Sequence, residues 1–278
     1  MTITSFSLVL WAVAALAGFL GSLTGLGGGV VLVPLLVLGF GVDIRYAAGA
    51  SLISVIATSS GAAAAYVREG FTNIRIGMLL EVATTLGALS GASMAAHIPT
   101  RAIALIFGAV LLYSAFGSTR PRPAPDADEA PDRLATRLRL DSSYPGPSGP
   151  QPYHVRRVPA GFGLMYIAGV LSGLLGIGSG AAKVIAMDRA MRLPFKVSTT
   201  TSNFMIGVTA AAGAGVYLNR GYIDPGLAMP VMLGVLPGAL LGARFLSGAQ
   251  SRSLRIVFAI VVLMLGVEMI YNGLAGKI

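Results

Sequence analysis

Two glycine clusters, Gly25-Leu-Gly-Gly-Gly29 and Gly176-Ile-Gly-Ser-Gly180, each lie within a long apolar run. Glycine permits positive φ and close backbone approach, and a chain that reverses inside a membrane needs both. A helix restarting after Gly29 or Gly180 would aim free N–H groups and the positive end of its dipole at the break, a ready seat for an anion. Gly25, Gly27, Gly28, Gly29, Gly176, Gly178, Ser179 and Gly180 are therefore candidate substrate-binding residues. The competing reading is that these glycines only let helices pack closely. Two clusters at matching places, each in an overlong segment, favour a functional break.

Lys183 follows Gly180 by three residues. A charge deep in the membrane costs about 2.5–3.5 kcal/mol on insertion scales, so it ordinarily serves a pathway or a partner; the alternative is that it snorkels to the surface. Ser51 and the run ending Thr201-Ser-Asn203 could donate to an anion without carrying charge, or could cap and join helices. Ser51, Thr201, Ser202 and Asn203 join the candidate list, with Ser51 and Asn203 the stronger pair. Glu81, followed by Thr84 and Thr85, is the candidate proton-coupling carboxylate, able to take up a proton or to pair with Lys183; the alternative is an interfacial glutamate. His97 and His154 have no metal-ligand company, and the absence of cysteine excludes disulfides and thiolate metal sites. No zinc-protease, nucleophile-elbow or phosphate-loop motif is present. Neither an enzyme nor a cofactor or metal is expected.

The elements that would position these residues follow from composition. Of 278 residues 55% are hydrophobic and only 11% charged, against about a quarter charged in a soluble domain. Lipid must cover much of such a surface, so the fold class is an all-α integral membrane protein. Eight apolar segments are legible, at 5–40, 46–67, 76–98, 102–117, 160–186, 198–218, 227–246 and 256–274. Most match the roughly 20 residues that cross a bilayer core. The first is too long for one crossing, and Pro34 as well as the glycines interrupts it. Residues 118–160 are polar, with 120–132 reading as disordered linker and 138–158 as a small β-hairpin. The net charge of +9 does not imply nucleic acid, because the basic residues flank apolar segments or lie in that linker. No Lys or Arg precedes the first apolar run, so a secretory signal is not expected.

The halves 1–117 and 161–278 align at a single offset of 151. Gly25–Gly29 falls on Gly176–Gly180, Gly70 on Gly221, Gly87-Ala-Leu-Ser-Gly-Ala92 on Gly238-Ala-Leu-Leu-Gly-Ala243, and Arg101 on Arg252. This is the mark of internal duplication. With four crossings per half, basic residues divide almost evenly between the faces. If each broken segment dips in and returns, every Lys and Arg except Arg45, Arg101, Arg220 and Lys277 falls inside. The positive-inside rule favours this second arrangement, with inverted repeats and a cytoplasmic linker, an architecture that opens one fixed site to each side in turn.

Gly21-Ser-Leu-Thr-Gly-Leu-Gly-Gly-Gly29 with Pro34, Gly173-Leu-Leu-Gly-Ile-Gly-Ser-Gly180, Leu193-Pro-Phe-Lys-Val-Ser-Thr-Thr-Thr-Ser-Asn-Phe204 and Gly238-Ala-Leu-Leu-Gly-Ala-Arg244 resemble the motifs of the TauE/SafE sulfite-exporter family, also called TSUP. The resemblance covers nearly all of the chain outside the linker. It departs at Ser179, where the second motif commonly carries glycine. The resemblance implies a multi-pass permease of the bacterial or archaeal inner membrane, associated with sulfite, sulfonates and related organosulfur anions, often in export and with suspected proton coupling. The expected partners are a small anion and the lipid bilayer, not nucleic acid, with a homo-oligomer left open. Two other readings stand beside the carrier: a passive anion channel, and a non-transporting subunit that recruits a partner through residues 118–160.

Overall fold

In lipid a backbone must satisfy its own N–H and C=O groups, and a helix does so. The structure, a computed structural model, describes residues 3–22, 28–68, 70–119, 132–146, 149–178, 180–246 and 251–278. The first half runs α1 (Ile3–Ser22), α2 (Gly29–Pro34) continuing as a π-helical turn over Leu35–Gly39, α3 (Ile44–Arg68), α4 (Ile74–Ala95) and α5 (Thr100–Thr119). The linker holds α6 (Arg133–Arg137) and the strands β1 (Ser142–Gly146) and β2 (Gly149–Tyr153). The second half runs α7 (Val158–Leu175), α8 (Gly180–Ile185) with a π turn over Ala186–Ala190, α9 (Phe195–Asn219), α10 (Pro225–Leu246) and α11 (Ser251–Leu274).

Among the described residues four helices, α1, α4, α7 and α10, are long and apolar enough to cross a membrane. Large apolar side chains such as Leu8, Met78, Phe116, Ile167, Leu240 and Met264 face outward, the surface of a chain that sits in lipid rather than water. This is an all-α membrane protein, the small hairpin aside.

Both overlong segments are broken. Helix α1 ends at Ser22 and α2 begins at Gly29, and α7 ends at Leu175 with α8 beginning at Gly180; 23–27 and 179 lie outside the described residues. Pro34, by contrast, does not interrupt its helix: α2 runs through it into the π turn. Ile185 stands before the same π turn in the second half, so the widening does not depend on proline. The bounds of α2, α3 and α4 shifted by 151 are those of α8, α9 and α10. Gly70 and Gly221, which follow α3 and α9, share φ of +73°.

Glycine seams fix the packing. An added Cβ at Gly87 or Gly91 of α4 would collide with backbone of Tyr166 or Val170 in α7, and one at Gly169 or Gly173 with Thr84 or Ala88 in α4. The contacts climb together, so α4 and α7 run parallel. Gly18 against Val235, and Gly234 and Gly238 against Trp11 and Ala15, set α1 and α10 parallel in the same way. In contrast α3 and α9 run antiparallel, with Gly49 at Tyr222, Gly213 at Leu52 and Gly207 at Ser59. So do α5 and α11, with Gly108 at Ile270 and Gly273 at Leu105. Each broken segment ends beside its own start: the Phe6 and Phe40 rings lie 5.8 Å apart, and Arg156 N donates to Met191 O at 3.2 Å. Each of these segments therefore doubles back toward its own starting end.

The hairpin forms within the stretch expected for it, with Pro145 opposite Pro150; 120–131 of the expected disordered linker lie outside the described residues. Asn73 docks the hairpin. Its carboxamide oxygen accepts from Ile76 N and caps α4, while its Nδ2 donates to Leu140 O at 3.0 Å and to the Tyr153 hydroxyl at 2.7 Å. A second apolar core beneath joins Leu140, Tyr153 and Val155 to Ile76, Met187 and Val197.

Candidate functional site: a buried lysine beside two helix breaks

The two breaks are brought together by α3. At the end of α7, Gly176 and Gly178 adopt φ of +71° and +68°, a left-handed conformation open chiefly to glycine. Ser51 Oγ donates to the Gly176 carbonyl at 2.7 Å. Gly29, the first residue of α2, packs on the same point: a Cβ there would stand 2.5 Å from Ser51 Oγ and 3.3 Å from Gly176 O. Ser202, 151 positions after Ser51, donates to Gly180 O at 3.2 Å. Gly178 lies between Val55 and Ile206, the facing sides of α3 and α9. Gly28 packs against Gly18 and Val235. Gly25, Gly27 and Ser179 lie outside the described residues.

Lys183, one turn into α8, is 0% exposed. It does not snorkel; its amine donates to Thr209 Oγ1 on α9. The Thr209 hydroxyl in turn lies 2.7 Å from Glu81 Oε1 on α4. Thr85 donates to the same carboxylate oxygen at 3.2 Å, and Thr84 Oγ1 lies 3.3 Å from Thr209. Glu81 Oε2 is buried and has no partner among the described residues. An ammonium group carries three donors, so Lys183 and the bare carboxylate oxygen retain capacity to bind a ligand. The arrangement is a cation and a carboxylate joined through one hydroxyl, inside the membrane-spanning part of the molecule.

The other candidates separate. Thr201 Oγ1 accepts from Asn73 N at 3.1 Å, so it pins α9 to the loop that docks the hairpin. Asn203 is half-buried and stands one turn before Gly207, which meets Ser59 of α3. It therefore lies on a different edge of α9 from Thr209. Thr209 itself escaped the sequence reading because it sits in the apolar stretch Gly207-Val-Thr-Ala210. The available signal was its spacing of seven, two helical turns, from Ser202. Beside the half-helix starts opens a cavity of about 330 Å³, lined by Val30, Ile106, Val110, Leu171, Ile177 and Gly180. Its wall is apolar, and the lysine–carboxylate pair lies outside it.

The sequence model of the family described as "Sulfite exporter TauE/SafE" matches residues 10–269. The chain belongs to this family. Among curated TauE/SafE relatives, the probable membrane transporter protein YunE of Bacillus subtilis (strain 168) is 26% identical over 96% of this chain and 98% of its own length. The probable membrane transporter protein YdhB of the same organism is 28% identical over 86% of this chain and 88% of its own. A probable membrane transporter protein of Xylella fastidiosa (strain 9a5c) is 25% identical over the full length of both. No solved structure matches. These relatives make the TauE/SafE chain a membrane transporter, and their near-complete coverage makes the linker part of the shared length rather than an added domain.

Proposed function

We propose that this protein is a proton-coupled secondary carrier of small anions, sulfite or organic sulfonates foremost, in the cell inner membrane. The family's printed description supports the substrate class. The observation that carries the mechanism is the fully buried Lys183, one turn into a returning half-helix and one hydroxyl away from Glu81. Without substrate, the Glu81 carboxylate balances the lysine through Thr209. An anion that reaches Lys183 takes over that balance and leaves Glu81 beside excess negative charge. A proton on Glu81 then restores neutrality, so anion and proton occupy the site together. Buried charge is costly unless compensated, which ties the crossing of one to the other. The half-helix starts at Gly29 and Gly180 add backbone donors; Ser202 holds the start at Gly180 and Ser51 holds the end of α7 beside Gly29.

The halves act as inverted repeats with the linker cytoplasmic. Equivalent helices α3 and α9 meet antiparallel, as do α5 and α11. A twofold axis in the membrane plane requires this, whereas an axis along the membrane normal would make equivalent helices parallel. The concentration of Arg and Lys on the hairpin face supports its being cytoplasmic.

The test is flux in reconstituted vesicles with sulfite, a sulfonate, sulfate and a simple carboxylate. Saturable sulfite or sulfonate flux that responds to a pH gradient is the expected result. Flux that follows voltage alone, without saturation, would return the passive channel. Loss of all function on deleting 118–160, with flux absent in the parent, would return the recruiting subunit.

A further inference from the structure

The antiparallel pair α3 and α9 carries a matched contact at each end. At one end the Arg45 guanidinium carbon lies 5.7 Å from the Tyr222 ring centroid. At the other the Lys196 amine lies 3.7 Å from the Phe71 ring centroid. Arg45 and Lys196 are 151 positions apart, and so are Phe71 and Tyr222. Each contact joins the first turn of one half's central helix to the loop that follows the other half's. The two lie at opposite ends of a 25-residue helix, about 37 Å apart at 1.5 Å per residue. Between them lie the helix breaks, with Gly178 held between Val55 of α3 and Ile206 of α9.

We infer that Lys196–Phe71 and Arg45–Tyr222 are the two gates of the carrier, one per face, both closed in this structure. The inference rests on the alternating-access reading above. The ends of α3 and α9 flank the breaks, and at each end a cation of one half lies over a ring of the other. Such a contact is strong enough to bias an equilibrium and weak enough to open in every cycle. The gates are not equal. Arg45 is also tied to its own half by donation from Nε to Ala95 O at 2.9 Å and from Nη2 to Ile98 O at 3.0 Å. Tyr222 also packs edge-on against Tyr46 and Tyr217. Phe71 instead is backed by Tyr144 of the hairpin, with centroids 6.3 Å apart. The linker between the halves thus braces the gate on its own face, whereas the other gate is backed by rings of the central helices themselves.

The protein contains no cysteine, so a single Val55→Cys reports on access to the breaks without background. The label is a membrane-impermeant maleimide applied to vesicles of each orientation. Lys196→Met or Phe71→Leu should raise labelling from the hairpin face by about two- to fivefold and leave the opposite face unchanged. Tyr222→Leu should do the reverse, and the conservative Lys196→Arg and Tyr222→Phe should label like the parent. Elution as a single species and an unchanged unfolding temperature identify the variants that fold. Labelling that rises equally from both faces, or from neither, overturns the gates. Sulfite flux measured on the same vesicles separates the two ideas. Face-specific labelling without flux of any anion keeps the gates and discards the anion reading, whereas intact flux with unmoved labelling discards the gates alone.

Discussion

Ser51 donates its hydroxyl to the carbonyl of Gly176 at 2.7 Å and at the same time leaves no room for a side chain at Gly29. One hydroxyl in the first half therefore sets both the end of α7 and the start of α2. Ser51→Ala should leave the Gly176 carbonyl unpaired and cost about 1–3 kcal/mol. Gly29→Ala alone should also destabilise, because its Cβ meets Ser51 Oγ. The double variant should lose less than the two single losses summed, since the smaller residue at 51 makes room. Thermal unfolding in detergent of all three proteins checks this; strict additivity would separate the two residues.

Removing one member of the lysine–carboxylate pair strands the other. Lys183→Met should destabilise by about 3 kcal/mol and abolish flux, because a largely buried carboxylate loses its counter-charge. Lys183→Met combined with Glu81→Gln should recover most of the stability and none of the flux. Glu81→Gln alone should retain anion binding, read as a thermal shift with sulfite, while its flux no longer responds to a pH gradient. Retained pH-gradient coupling in Glu81→Gln would move the proton to another group.

Thr209→Val keeps the shape of the side chain and deletes the bridge. The expected result is weaker coupling between Lys183 and Glu81, seen as a loss of about tenfold in flux at low substrate, on the scale of one charge-assisted hydrogen bond. Thr209→Ser should restore most of it, which a purely packing role for the threonine would not produce.

Two glycines six residues apart on α7 should respond with opposite sign. Gly169→Ala drives a Cβ into Thr84 backbone and should cost about 1–3 kcal/mol through overpacking. Gly163→Ala meets open space and should stabilise by up to about 1 kcal/mol through helix propensity. Equal effects at the two sites would remove the seam as the reason α4 and α7 approach so closely.

Hairpin docking should fail at alkaline pH. Burial pushes the Tyr153 phenol above its usual range. The undocked linker therefore gives up this proton first, at about pH 10, while the docked form still holds it. Docking is fully stable below that pH and weakens as pH rises through the docked value. Spin labels at Ser143 and Gly163 should separate over this range, and Tyr153→Phe should abolish the step.

Much of this architecture was legible because membrane segments write themselves in long apolar runs. The 151-residue offset and the glycine clusters pointed to both helix breaks, and after α7 ends at Leu175 the described Gly176 and Gly178 take positive φ. Pro34 misled because proline is a helix breaker only where a lost N–H has no substitute; here the helix simply continues into a wider turn. Lys183 and Glu81 stood out as charges where charge is expensive and as a candidate pair, but the group that links them was not legible. Their link is Thr209, and a threonine in an apolar helix ordinarily bonds its own backbone; the Met205 carbonyl lies 3.1 Å away as the competing acceptor of its one proton. Only the packing of α4, α8 and α9 turns that hydroxyl into a bridge. The partner of Thr201 was equally hidden, since the loop bearing Asn73 is 128 positions away.

The duplication that builds the scaffold stops short of its charges. At the places matching Lys183, Glu81 and Thr209 the chain has Leu32, Met232 and Thr58; Leu32 is wholly buried, and Thr58 bonds its own helix. A frame made of two like halves thus holds a solitary ionic relay set to one side of its symmetry axis. On the proton-coupled reading proposed above, such a device would exchange a single proton equivalent per turnover, and its two strokes would start from unlike electrostatic ground.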